Sequence, residues 1–239
     1  MPVAATAAQP AHRFKVSYLK PQNEKEAFIL NLVKASQLTN VMNLLSKAFI
    51  LPADVTIVVK GGAAGPYYNP QTHIVVFNHD FSELVLDVFT NEYPKITGFK
   101  LGELFASLEY FVIFHELGHA FVDLYDLPIL GREEDAVDAI SAVFMTKFVP
   151  NGGQIALAAA DFFAYLGTHH GAPQQNEFAD EHSFSLQRAY DIACLVYGSD
   201  TRKWTSVGAV IPQARRVRCA AEYRQKEHAF ETLLRPHVR

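Results

Sequence analysis

The chain has no surplus of basic charge: 21 Lys and Arg stand against 25 Asp and Glu, a formal net charge of −4 with a pI near 6.2. Displacing counterions from a polyanion needs clustered positive charge, so a nucleic-acid partner is not expected. An uninterrupted apolar run of spanning length is also missing. The longest candidate, residues 105–122, is broken by Glu109, His115, Glu116 and His119, which a lipid-spanning helix carries only at high cost. No membrane span is expected. Cysteine is scarce, with only Cys194 and Cys219, too few for a disulfide scaffold; they read either as one bridge or as two buried thiols. The first eleven residues, MPVAATAAQPA, have neither a basic start nor an apolar core and so are not an intact signal peptide. They read as a flexible segment of the kind left after processing. With the cysteine pair, they set an exported location, periplasmic or extracellular, as the expectation, the cytoplasm remaining open.

What is present is apolar. Hydrophobic residues make up 49% and charged residues 19% of 239, enough to build a sizeable core and to exclude disordered and fibrous classes. The length suits one domain, with the flexible segment 1–11, a strand-containing part 12–100 and a helical part 101–239. Residues 13–19 alternate, with Phe14, Val16 and Tyr18 on one side, as a strand does. Between residues 23 and 49, Phe28, Ile29, Leu32, Val33, Leu38, Val41, Leu44, Leu45 and Phe49 recur at spacings of three and four, predicting one long or two short amphipathic helices. The β-branched runs 54–60 and 72–77 predict two more strands in a small, mainly antiparallel sheet. Helices are expected at 81–89, 102–125, 133–148, 154–166, 183–197 and 212–234, separated by Pro and Gly clusters. Strands first and helices later indicate an α+β fold rather than a βαβ repeat.

Within the second of those later helices stands His115-Glu116-Leu117-Gly118-His119, an H-E-x-x-H pentad that arises by chance in such a composition with a probability of roughly 2%. Residues four apart share a helical face, so both imidazoles point at one centre with Glu116 beside them. That geometry suits Zn2+, which takes imidazole nitrogens and needs one further protein ligand and an open position for water. The flanks, Tyr110 to Phe114 and Ala120 to Val122, are apolar almost all round, so the polar residues sit in a buried helix and need partners. The third ligand is sought in GREEDAVDAISAVF. Glu134 and Asp138 share a face, which lets one bind metal while the other accepts the second ring N–H of a histidine. Glu134 is the preferred ligand and Glu133 and Asp135 the alternatives, against the plainer account that acids favour any helix start.

His115-Glu116-Leu117-Gly118-His119, with Glu134 and Asp138 downstream, resembles the gluzincin arrangement of zinc metallopeptidases, in which the third ligand is a helical glutamate. HELGHAFVDLYDLPILGREEDAVDAISA, DEHSFSLQRAYDIACLVYGSD and RRVRCAAEYRQ also resemble an uncharacterised bacterial metallopeptidase family, over most of the chain from Thr72 onward. The resemblance implies a zincin-like fold whose sheet packs on the zinc-binding helix, hydrolysis of peptide bonds, a peptide or protein substrate and a zinc cofactor; it names no particular substrate. Together with the chemistry it makes His115, His119 and Glu134 the metal ligands and Asp138 the orienting residue. Glu116 becomes the general base toward a metal-activated water. Zincins usually add a donor to the oxyanion. Here His182, Tyr190 and Arg188 are candidates; His182 is preferred, the competing reading being a solvated residue at a helix start. His169 and His170 read as an exposed loop, and His73 and His79 as structural or solvated strand histidines. Residues 67–77 (YYNPQTHIVVF) supply either an edge strand on which a peptide lies antiparallel or an internal strand.

Charge is uneven: residues 80–140 are acidic, which fits a metal site and cationic substrates, while residues 201–239 are basic, as a clamp, a partner surface or simply solvated faces. The reading from another class is a catalytically inactive zincin-fold module that binds or senses peptides. A metal-free helical interaction domain is the third.

Overall fold

The computed structural model describes residues 12–62, 64–91, 100–169 and 174–239. The segment 1–11 and His170, both assigned above, lie outside the described residues. In chain order the elements are β1 (Phe14–Tyr18), α1 (Glu24–Ala35), α2 (Leu38–Ala48), β2 (Val55–Lys60), β3 (Tyr67–Asn69), β4 (Ile74–Asn78), α3 (His79–Asn91), α4 (Leu101–Leu124), α5 (Glu133–Phe148), α6 (Gly152–His169), α7 (Gln175–Phe178), α8 (Ser185–Ser199), α9 (Thr205–Val210) and α10 (Gln213–Leu233), closed by a 3-10 turn, Arg235–His237. No helix among the described residues is long and apolar enough to cross a membrane.

The sheet corrects the expected antiparallel arrangement. Strand order is β1-β2-β4-β3, with β1, β2 and β4 mutually parallel and only β3 antiparallel, against β4. The physical reason lies in the connections. Parallel neighbours need a crossover, and the helical pair α1–α2 between β1 and β2 is one. Between β2 and β4 the chain swings out to lay β3 on the far edge before returning. Alternation and β-branching report a strand but not its direction. The 23–49 pattern resolves into two helices because Gln37 takes a left-handed conformation at φ 62°. Asn23 caps the first through a 2.8 Å bond from the Glu26 amide.

Helix α4 runs through the middle of the molecule. Phe105, Leu108, Phe111, Ile113 and Leu117 are shut away from solvent on its successive faces, each such side chain contributing roughly 1.5–3 kcal/mol. The sheet packs on one side of it, α3 on another, and α5 and α6 on a third, with α8 and α10 behind them. Gly152 and Gly153, just ahead of the helix expected at 154–166, are the first two residues of α6. A Cβ on Gly152 would meet the Met145 carbonyl oxygen at 1.9 Å, so glycine is there to let α6 start against the end of α5. The two cysteines form a disulfide joining α8 to α10. Residues 237–239 fold back onto 48–50: the Ile50 amide donates to His237 O at 2.7 Å, the Arg239 amide to Ala48 O at 2.8 Å, and His237 stacks on Tyr125.

One buried acid in α4 is nearly alone. Glu109 is 1% exposed and accepts a bond from the Ser82 hydroxyl at 3.1 Å. Burial pushes its pKa up to about 8 despite that bond. An unfolded carboxyl ionises near pH 4.5, so between these values the native state holds the extra proton and stability falls as pH rises. Glu109→Gln keeps an acceptor for Ser82 and removes the titration. Its stability should match the parent near pH 4.5 and exceed it by roughly 2–4 kcal/mol by pH 8, measured as denaturant midpoints across that range; a difference independent of pH would refute the assignment.

Candidate metal centre

His115 and His119 stand one turn apart on α4, their ring centroids 5.1 Å apart. His115 is buried and His119 half-buried. After α4 the chain reverses through Gly131, whose φ of +138° suits glycine, and α5 returns alongside. The two helices touch closely. A Cβ on Gly118 would lie 2.8 Å from that of Val137 and 3.3 Å from its Cα. This approach brings Glu134, on the first turn of α5, up to both imidazoles: His115 Nε2 lies 3.0 Å from its Oε2 and His119 Nε2 lies 3.2 Å from its Oε1. Ligand atoms on a tetrahedral Zn2+ at 2.0–2.1 Å are separated by about 3.3 Å. Oε2 of Glu134 is buried yet accepts no well-aligned hydrogen bond, although nitrogens of His115 and His182 lie close by. Two imidazole nitrogens and a carboxylate oxygen, all within 4.8 Å of one another, form a donor set that fits zinc.

The far side of each ring is also occupied. His115 Nδ1 lies 2.8 Å from Asp138 Oδ1, and His119 Nδ1 lies 2.7 Å from Glu133 Oε1. Both carboxylates therefore favour the Nδ1–H tautomer, which turns the Nε2 lone pairs toward Glu134. Glu133, an alternative ligand above, sits behind His119 rather than among the converging atoms. Asp135 lines the opposite side of α5, beside Ala139 and Lys226. Arg188 was a candidate for the oxyanion and is placed elsewhere: its Nε and second terminal nitrogen donate to Asp138 at 2.8 and 2.9 Å. Tyr190 is exposed on α8 and does not line the cleft.

Burial works against the charge of Glu134, yet His115, His119 and His182 hold its carboxyl far below the usual carboxylate range. Burial likewise opposes charging of His115 and His119, but the surrounding carboxylates lift both to about 9. Asp138 is held at about 2, against burial, by Arg188 and His115. Glu116 differs: burial pushes its pKa up, the nearby imidazoles only partly opposing. A buried carboxyl raised in this way is suited to exchanging a proton.

These groups open on a cleft of about 680 Å3 lined by Tyr67, Tyr68, Asp123, Arg132, Glu181 and His182 as well as His115, Glu116 and His119. The edge of the sheet on this cleft is β3, residues Tyr67–Asn69, whereas the 72–77 run forms the internal strand β4. Tyr68 donates to Asp123 at 2.7 Å. His182 sits just ahead of α8 with Nε2 2.9 Å from Glu134 Oε2 and Nδ1 2.9 Å from Asp180 Oδ1; Arg132 donates to its carbonyl oxygen at 3.0 Å. His73 is in the turn before β4 at φ 52°, buried His79 opens α3, and exposed His169 ends α6, so none of these three is the strand or loop histidine expected. Sequence did not pick out Arg132, and it offered Glu133 only as an alternative ligand and Tyr68 only as part of the 67–77 strand. The place of Glu133 behind His119 was hidden by its neighbours, since any of three successive acids satisfies a helix start, and a three-residue strand shows no periodicity.

A family model described as "Putative metallopeptidase" (DUF4344) matches residues 18–234 of the chain. No curated protein and no solved structure gives a match.

Gly118 lies inside a helix, where glycine costs about 1 kcal/mol against alanine, so Gly118→Ala would stabilise an isolated α4. In the protein the added methyl meets Val137 and must push α5 outward. The variant should bind Zn2+ at least tenfold more weakly and melt below the parent, by chelator competition and calorimetry. Unchanged affinity would show that the Gly118–Val137 contact does not set the reach of Glu134.

Proposed function

The chain belongs to the family that carries the description "Putative metallopeptidase", and on that footing we propose that it is a zinc-dependent endopeptidase of the gluzincin type with a zincin-like fold. His115, His119 and Glu134 are its metal ligands, Glu116 its general base, Asp138 the residue that orients His115, and His182 the donor to the oxyanion. The observation that carries this reading is the convergence of Glu134 on both Nε2 atoms at 3.0 and 3.2 Å, with each ring backed by a carboxylate.

When bound, Zn2+ supplies a Lewis acid that acidifies water and polarises a carbonyl. The protein's own groups do the rest. Glu116, buried at the cleft wall with its proton affinity raised, takes a proton from the attacking water and delivers it to the leaving amine. His182, whose pKa is raised chiefly by Glu134, holds a proton on Nε2 and donates toward the developing oxyanion, a contact worth a few kcal/mol in such sites. The exposed edge of β3 aligns an extended peptide through backbone hydrogen bonds. The cleft carboxylates Asp123 and Glu181 favour substrates with cationic side chains. The disulfide between Cys194 and Cys219 supports an exported protein, since such bonds persist in oxidising compartments.

The test is metal content and hydrolysis measured together. Protein purified without chelator should hold about one zinc per chain, His115→Ala little, and Glu116→Gln a full complement with peptide hydrolysis reduced by at least a thousandfold. A parent that binds zinc but cleaves nothing in a broad peptide library would favour the inactive binding module instead, and a parent that takes up no zinc would end the enzyme reading.

A further inference from the structure

We propose that Arg188 is a positioning residue of this centre: it locks Asp138, and through Asp138 the ring of His115, and it holds the start of α8 in register so that His182 faces Glu134. The proposal rests on the reading that His115 binds the metal.

The carboxylate of Asp138 is fixed at both oxygens. Oδ2 takes the bond from Arg188 Nε, while Oδ1 is shared between the second guanidinium nitrogen and His115 Nδ1. Such a fork cannot turn without breaking two charge-assisted hydrogen bonds. The guanidinium in turn lies 3.9 Å from the ring centre of Phe163 on α6, with both ionic side chains largely buried. Three helices besides α4 thus meet in one chain of contacts, from Phe163 through Arg188 and Asp138 to His115.

The other imidazole provides an internal contrast. Glu133 backs His119 at a similar distance, but its side chain is 46% exposed and among the described residues no Lys or Arg pairs with it. One ring is therefore held by a clamped carboxylate and the other by a free one. Arg188 does not line the cleft; it faces a separate polar cavity with Asp191, Arg215 and Glu222, so it acts through Asp138 and not on substrate. Its helix begins three residues after His182, whose carbonyl is pinned by Arg132. Fixing α8 against α5 sets that histidine as well.

Charge and geometry make opposite predictions here. Removing a cation near a metal site should, by Coulomb attraction alone, strengthen binding of another cation. Removing a clamp should weaken it, by the ten- to hundredfold typical of groups that orient ligands. The experiment is Zn2+ affinity by chelator competition, together with the visible absorption of the Co2+-substituted protein, on the full chain and on Arg188→Met, Arg188→Lys, Asp138→Asn, Glu133→Gln and the Arg188→Met/Asp138→Asn double variant. Arg188→Met should lose ten- to hundredfold in affinity with altered Co2+ bands, and Arg188→Lys, which keeps the charge without the fork, should also fall below the parent. The double variant should bind no more weakly than Asp138→Asn, because both substitutions break the same link, and Glu133→Gln should cost less than Asp138→Asn. Parent-like affinity and spectrum in Arg188→Met, or additive losses in the double variant, would overturn the proposal. If Arg188→Met does not fold, parent-like binding by a folded Arg188→Lys would do so. A parent that takes up no zinc would sink the metal reading itself and this proposal with it, whereas equal tight binding by parent and variants sinks the proposal alone.

Discussion

Where α4 passes α5, the backbones come so close that a methyl group at Gly118 would collide with Val137, and the candidate site is built on that approach. With no side chain at Gly118, α5 can pack directly against α4 there, and Glu134 on its first turn comes to within 3.0 and 3.2 Å of the two imidazole Nε2 atoms. The glycine lowers the intrinsic stability of α4, and the apolar burial around it more than offsets the loss. The pentad alone therefore describes only half of a site; the other half is a permitted distance.

Close approach concentrates charge, and the molecule handles its buried acids in two ways. Glu134 and Asp138 are surrounded by imidazoles and a guanidinium, so they remain ionised at the cost of tying up those partners. Glu109 and Glu116 lack a comparable set, and burial drives both toward the neutral form. Burying a lone carboxylate costs several kcal/mol, whereas a protonated one behaves as an ordinary polar group. Only Glu116 of this second pair reaches the cleft, which separates a group able to move protons from one that merely avoids charge in the core.

Much of this was legible in the sequence, for identifiable reasons. Helix α5 was read at its observed limits because acids at 133–135 mark its start and apolar spacing marks its length. The pentad stood out because polar residues interrupt a helix that is otherwise apolar on every side. Glu134 and Asp138 shared a face by simple helical geometry. Sheet direction was not legible, since it depends on how the 23–49 helices carry the chain from β1 to β2 and not on the strands' own residues. Strand β3 is too short to announce itself. Arg188 was visible as a residue of interest but not its target, because Asp138 lies 50 residues away and only the packing of α8 on α5 brings the two together. Likewise, Gly152 and Gly153 have the composition of a turn and the role of a close contact.

The return of residues 237–239 to residues 48–50 has a consequence for how the chain is made. A ribosome releases β1, the helical pair and β2 long before His237 and Arg239 exist to complete the backbone hydrogen bonds at Ile50 and Ala48. Closure across such a separation is slow compared with local helix formation. The seam at residues 48–50 thus stays open until residues 237–239 have been made, so any machinery that handles the chain before then meets local helices ahead of this long-range closure.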